Sequence, residues 1–277
     1  MAQDRTLHLR ADPTPWLLAS AEPVVRYWTL VDVLRRPQSD AQVVAARAAL
    51  PQSPVIRQIM ARCTRNGLWG PAADYYLPKF CGTFWTMCTL ADLRLRAQDE
   101  RICHVCEYTF AQQRADGAFR RARTSTGRPE DAPMPCTHAR ITRALVLFGL
   151  GADPRTRRAM DWLLASERTP AGWLCGDRPG RSCLRATIDY LRLAALTPAL
   201  AAQPATARAA EWVGSQLLQK GMGRYHVSDA WDVFTYPETN YSLLGALDGL
   251  SQLGWGLDRS EVAAAVGAII GKQDAAG

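Results

Sequence analysis

Large aromatic residues close a glycine-containing turn at near-constant intervals along this chain, and that period limits the possible fold more than any other feature. The closing rings are Trp69, Phe119, Trp173 and Tyr225, spaced 50, 54 and 52 residues apart, and Gly277 follows Tyr225 by another 52. The surrounding text repeats with them: RCTRNGLW (62–69), EYTFAQQRADGAF (107–119), AMDWLLASERTPAGW (159–173) and, more loosely, EWVGSQLLQKGMGRY (211–225). Self-similarity at this spacing marks a stacked array whose units bury their apolar faces against neighbours. The expectation is one domain over 1–277, with units at roughly 22–69, 77–119, 136–173, 182–225 and 238–277.

Between the turns, two kinds of helix alternate. One kind is apolar nearly all round: EPVVRYWTLVDVL (22–34), LPKFCGTFWTMCTLADL (77–93), CTHARITRALVLFGL (136–150), SCLRATIDYLRLAAL (182–196) and ETNYSLLGALDGLSQLGW (238–255). The other carries apolar residues on one side only, as in ERICHVCEYTFAQQ, PRTRRAMDWLLASE and TARAAEWVGSQLLQ. A helix apolar on all sides is buried on all sides, so the first kind forms an inner layer and the second an outer one. Asp153-Pro154, Glu22-Pro23 and Pro237-Glu238 read as helix starts. The turns FGLGADPRTR (148–157) and LGWGLDRSEV (253–262) correspond two units apart and are short, whereas the outer-to-inner connections at 114–135, 168–181 and 222–236 are long. All long loops therefore fall at one end of the array, where a rigid scaffold usually carries its function.

Composition narrows the class. No apolar run is long enough to span a bilayer, and MAQDRTLHLRADPTP has charges where a signal peptide needs its apolar segment, so a cytoplasmic protein with no transmembrane segment is expected. Eight cysteines without paired spacing fit reduced thiols or metal ligands better than a secreted disulfide framework. The net charge of +7 comes from arginines read as scattered over outward helix faces, with one cluster in FRRARTSTGR (119–128). Nucleic-acid binders concentrate charge on one stripe with aromatic interleaving, so no nucleic-acid partner is expected.

Gln113 to Phe119 reads Gln-x-x-Asp-Gly-x-aromatic, is weakened at Trp173 and Tyr225, and begins again at Gln273. With the period and the helix alternation, this resembles the repeat of the terpenoid cyclase and protein prenyltransferase superfamily, over roughly residues 20–277. It is most similar to small bacterial prenyltransferase and squalene-oxidase repeat proteins. The resemblance implies an all-α fold, an α/α toroid of about five helical hairpins, around an apolar cavity. It further implies an enzyme acting there on an isoprenoid or other long apolar substrate. A non-catalytic repeat protein binding a lipid or protein partner is the alternative, and a carbohydrate-active toroid enzyme is a third reading. The glycine and the aromatic of each turn read as a staple, the ring packing on the neighbouring outer helix.

A type II cyclase protonates an alkene with an acid in an Asp-x-Asp-Asp pattern, which is absent here. The nearest approach is SDAWD followed by VFTYPETNY, which nominates Asp232 and Glu238 as proton donors; helix capping, by these or by Asp229, is the plainer reading. Tyr27, Trp28, Phe84, Trp85, Trp231, Phe234, Tyr236 and Tyr241 are the aromatics able to line a cavity and stabilise positive charge, although some of them must be core. The prenyltransferases of this superfamily bind zinc with Asp, Cys and His. Cys136, Cys175 and Cys183, with His138 or His226, fall at the long-loop end in adjacent units and make a possible zinc site; reduced buried thiols or an incidental disulfide are the competing reading. Cys88, Cys103 and Cys106 read as packing residues, and His104 as solvent-facing.

Overall fold

The computed structural model describes residues 9–71, 74–120, 133–166, 169, 172–175, 178–219, 231, 233–238 and 241–273. Among these the architecture is all-α and two-layered. The inner helices are α2 (Pro23–Trp28), α5 (Thr83–Asp92), α7 (Pro135–Leu145), α9 (Leu184–Ala194) and α12 (Leu243–Gln252). The outer layer contains α3 (Ala41–Ala49), α4 (Pro54–Ala61), α6 (Glu100–Ala111), α8 (Pro154–Ala165), α11 (Pro204–Gln216) and α13 (Ser260–Ile270). Two short helices, α1 (Thr14–Leu18) and α10 (Pro198–Ala201), and a small antiparallel hairpin of β1 (Leu174–Cys175) and β2 (Arg178–Ser182) complete the described elements.

Burial separates the layers as the hydrophobic pattern requires. Every residue of α5 from Thr83 to Ala91 is buried, as is every residue of α7 from His138 to Leu145. By contrast, α8 buries only Thr156, Ala159, Met160 and Leu163, the single stripe of a surface helix. Each of α5, α7 and α9 packs against the next inner helix in the chain, and α6, α8, α11 and α13 back them from outside. The array curls round until its ends meet. Arg10 N donates to Gln273 Oε1 at 3.0 Å, and the Trp28 ring meets Tyr236 edge-on at 5.7 Å. The described helices thus form an α/α toroid, and none is long and apolar enough to cross a membrane.

Several helix starts differ from those expected. The last inner helix begins at Leu243, not near Glu238, because Ser242 is extended and its hydroxyl accepts the Gly245 N–H. The second begins at Thr83, because Cys81 and Gly82 turn back to donate to Pro78 O. In the first unit Pro51 and Pro54 split the outer helix into α3 and α4. Both α2 and α7 end in one wide π turn, Thr29–Val33 and Val146–Leu150.

The repeated glycine-aromatic turn has a defined construction. Gly67, Gly117 and Gly172 all have positive φ. Trp69 Nε1 then donates to Ile59 O at 2.9 Å and Trp173 Nε1 to Leu163 O at 2.8 Å, each ten residues back. The ring therefore folds onto the outer helix it has just left, not onto the neighbouring one, and adds a second donor to a carbonyl in that helix's last turn, which also accepts a backbone N–H. At Gly117 a second constraint is added: a Cβ would stand 2.3 Å from Arg158 O, so the turn is pressed directly against α8. Gly254 also has positive φ but nothing within 4 Å of its Cβ position. Gly117→Ala should therefore cost about 2–4 kcal/mol in urea unfolding, against about 1–2 kcal/mol for Gly254→Ala, where only backbone strain is imposed. Equal losses at the two positions would mean that the contact with α8 yields freely.

Candidate functional site

The centre of the ring is charged. Arg143 Nη1 lies 2.6 Å from Asp92 Oδ1, Arg140 Nη2 3.2 Å from Asp189 Oδ1, and Arg192 Nε 3.0 Å from Asp248 Oδ2. These pairs join α5 to α7, α7 to α9, and α9 to α12, one for each successive contact, and Arg94 with Asp32 at 3.1 Å extends the series toward α2. Arg192 also reaches Glu238 Oε2 at 2.7 Å, while Arg140 Nη1 donates to the Glu238 carbonyl at 3.0 Å. Burial alone would raise the Asp92 carboxyl, but the guanidiniums of Arg143, Arg192 and Arg140 outweigh it and hold that group below the usual range. Burial likewise opposes the charges of Arg140 and Arg192, and the surrounding carboxylates more than restore them.

This corrects two expectations. Arg140, Arg143 and Arg192 are not on outward faces, and the axis is not an apolar chamber. Phe80, Trp85, Cys88, Asp92, Arg140, Arg143, Arg192, Pro237 and Glu238 surround an axial space of about 10 Å³, which is about one water. The strand of chain before α12 helps fill it. Glu238 fits there because Gly245 has no side chain; a Cβ would meet Glu238 Oε1 at 2.5 Å.

A roomier cleft lies beside the axis, at the long-loop end. It measures about 330 Å³ and runs between the end of α4, the turn at 69–81 and the Thr86–Thr89 face of α5, lined by Ile59, Trp69, Pro78, Phe80 and Pro237. It shares Phe80, Thr89 and Pro237 with the axial space, so the two are contiguous. Phe80 has φ of 71°, a left-handed conformation unusual for a bulky residue, and is half exposed. Its ring meets Trp85 edge-on at 4.9 Å, and Lys79 Nζ sits 4.9 Å from its centre. Arg62 and the exposed Cys81 complete the rim. A second cleft of about 380 Å³, between α1, α2 and α3, has no aromatic lining.

The nominated aromatics divide between surfaces. Trp85 faces the axis, and Trp28 and Tyr236 meet beside it. Phe84 instead stacks on Tyr76 at 5.6 Å and lies against Met87, Thr109 and Phe119, between the layers. Tyr27 points at α3, where its hydroxyl accepts from Arg47 at 2.6 Å. Trp231 and Tyr241 form a buried edge-to-face pair, and Phe234 is exposed near Lys272. Those not on the axis fill the core or the surface. The residues that build the cleft, Ile59, Phe80 and Pro237, escape a reading of the sequence, because no side-chain type announces a left-handed phenylalanine.

The candidate acids and metal ligands have other partners. Glu238 accepts from Ser242 Oγ at 2.5 Å through Oε1 and from Arg192 through Oε2, so both oxygens are engaged by neighbouring side chains. Asp229 and Asp232 lie outside the described residues, as do Tyr225 and His226. His138 is buried: its Nε2–H donates to Ala159 O at 2.8 Å and Nδ1 accepts the Phe119 N–H at 3.2 Å, leaving no lone pair for a metal. Cys136 and Cys183 are buried at the starts of α7 and α9, the Cys175 side chain is not described, and among the described residues no three potential ligands converge. His138 is thereby removed from the zinc expectation, and two of its other members, the Cys175 side chain and His226, lie outside the described residues. Cys88 and Cys106 are buried packing residues, while Cys103 is exposed on α6. His104 is on the surface with Nε2 2.9 Å from Asn66 O.

No protein-family model matches the chain, and no curated protein does. Among solved structures it is similar to an arginine-to-alanine variant of a type II terpene cyclase from Scytonema, in complex with its substrate geranylgeranyl dihydroxybenzoate. Identity is 16%, the TM-score is 0.38, and the match covers 89% of this chain and 74% of that one. A likeness of this size bears on neither ligand nor chemistry.

Burial pulls the His138 imidazole down from 6.5 to about 4, against the opposing pull of Ala159 O and Asp116. Between those values the unfolded chain binds the extra proton, so stability is full above pH 6.5 and falls as the pH drops toward 4. The loss should be on the order of 3 kcal/mol. His138→Gln, which can reproduce one donor and one acceptor, should flatten that limb of the stability–pH curve measured by urea unfolding. An unchanged slope would place the titration elsewhere.

Proposed function

We propose that this protein binds an isoprenoid or another long apolar chain in the lateral cleft, and that it does so without catalysing cyclisation. The reading rests on the cleft of about 330 Å³ at the long-loop end, walled by Trp69, Phe80 and prolines, while the axis itself is closed by ion pairs. Pockets for small apolar ligands begin at about this volume, with a few polar groups to orient the ligand. The strained backbone of Phe80 supports it, since such conformations persist where the surroundings hold a side chain for a purpose. Arg62 and Lys79 place positive charge at the rim, which suits a chain ending in an anionic group.

The enzyme reading differs on one point. Terpene cyclase-like chemistry of the type II kind needs a protonated acid near the chain, and the two Glu238 oxygens are already engaged by Arg192 and Ser242. A cyclase would have to draw its proton from Asp232. Prenyl transfer to a zinc-activated thiolate would need ligands other than His138, whose two nitrogens are both engaged.

Geranylgeraniol and geranylgeranyl diphosphate at 100-fold excess over Kd should each stabilise the protein by about 2.7 kcal/mol, read as a rise in Tm. They should also slow alkylation of Cys81, which lines the cleft, without slowing that of Cys103 on α6. Phe80→Ala should remove both effects and leave the unliganded Tm nearly unchanged. No shift with either ligand would refute the binding reading; cyclised product that disappears in Asp232→Asn would establish the enzyme instead.

A further inference from the structure

Among the charges described at the axis, Asp92, Arg140, Arg143, Asp189, Arg192 and Asp248 are carried by inner helices, whereas Glu238 belongs to the extended strap 233–238 that precedes α12. The strap has little apolar anchorage: Val233, Phe234 and Tyr236 are exposed. It is held instead by polar contacts at its end, where Glu238 accepts from Arg192 Nη1 at 2.7 Å and Ser242 Oγ at 2.5 Å, and its carbonyl accepts from Arg140 Nη1 at 3.0 Å. Neither arginine depends on it. Arg192 also has Asp248 at 3.0 Å and Arg140 has Asp189 at 3.2 Å, so withdrawal of Glu238 strands no guanidinium. Pro237 lines both the lateral cleft and the axial space, and Glu238 lines the axial space, so the strap stands where the two are contiguous.

We propose that Glu238 is a displaceable plug, whose carboxylate occupies on Arg192 Nη1 and Ser242 Oγ the seat that the anionic end of a long apolar ligand takes when the strap withdraws. This rests on the reading of the lateral cleft as the site for the apolar chain; the cleft holds the chain and the axis receives its end. An anionic group replaces an anionic group, so the seat stays paired while Glu238 moves to water. The seat is open to a ligand only for the fraction of time that Glu238 has left it, and apparent affinity falls by that fraction. A neutral chain end has no use for the seat and does not compete for it. The plug therefore sets a preference between chains of equal length by the charge at their end.

Two variants of the full-length protein vacate the seat from opposite sides. Glu238→Ala removes the carboxylate, with Glu238→Gln in its place should that variant not fold. Gly245→Ala keeps the carboxylate but sets a Cβ 2.5 Å from Oε1, which the flexible side chain escapes by moving out. Cys88 is buried and lines the axial space, so its reaction with methyl methanethiosulfonate, mapped by mass spectrometry, reads the plug without any ligand; Cys106, buried on α6, is the control for general loosening. In both variants Cys88 should react about tenfold faster than in wild type, with Cys106 unchanged. Geranylgeranyl diphosphate and geranylgeranoic acid should bind Glu238→Ala about tenfold more tightly than wild type, the larger gain naming phosphate or carboxylate, while geranylgeraniol gains nothing. Gly245→Ala should expose Cys88 without that gain, since its Cβ obstructs the seat for any occupant. Cys88 as protected in both variants as in wild type, or an equal gain for the neutral alcohol, would overturn the plug and leave the cleft reading standing wherever wild type still binds. No binding of any of the three to wild type or variants would refute the cleft reading and the competition with it, and Cys88 would still show whether Glu238 closes the axis.

Discussion

Successive inner helices are held to one another by charge. Asp92 with Arg143, Asp189 with Arg140 and Asp248 with Arg192 span the contacts from α5 to α12, and Glu238 closes the centre by engaging Arg140 and Arg192 together. Such groups are costly to bury singly and tolerable only in pairs, so each helix is committed to the azimuth and height at which its partner waits. A purely apolar inner layer could slide by a turn at little cost; this one cannot. The outer helices then need only cover the ring, which their single apolar stripes suffice to do.

The same network decides where a ligand can go. Among the described residues the axial space holds about one water, and the roomier volume lies to one side, where Pro78 O accepts from both Cys81 and Gly82. Phe80 lines both cleft and axial space. The long-loop end thus carries the cleft, and α5 contributes its Thr86–Thr89 face to it.

Much of this architecture is legible in the amino-acid sequence. The period of the aromatics and the contrast between all-round and one-sided apolar helices predict the two layers, because both are properties of single helices. The ion pairs are not legible in the same way. Asp92, Asp189, Arg192 and Asp248 are visible as charges inside apolar helices, but each finds its partner on a different helix tens of residues away, and no local pattern supplies that pairing. His138 misleads for a related reason: in Pro-Cys-Thr-His it reads as a ligand beside a cysteine, whereas packing turns it toward Phe119 and Ala159 and spends both nitrogens on backbone.

That the ring is closed by mutually dependent ion pairs is tested most directly at the most buried of them, by a double-mutant cycle on Arg140 and Asp189, whose side chains are 8% and 3% exposed. Asp189→Ala, which strands a buried guanidinium, should cost about 3–5 kcal/mol in urea unfolding. Arg140→Met combined with Asp189→Leu should cost far less than the sum of the single changes, because neither member of the pair is left charged; Arg185, 4.0 Å from Asp189 and 20% exposed, keeps access to water. Single losses below about 1 kcal/mol that simply add would describe a solvated pair and an open, watered axis, and would contradict the account.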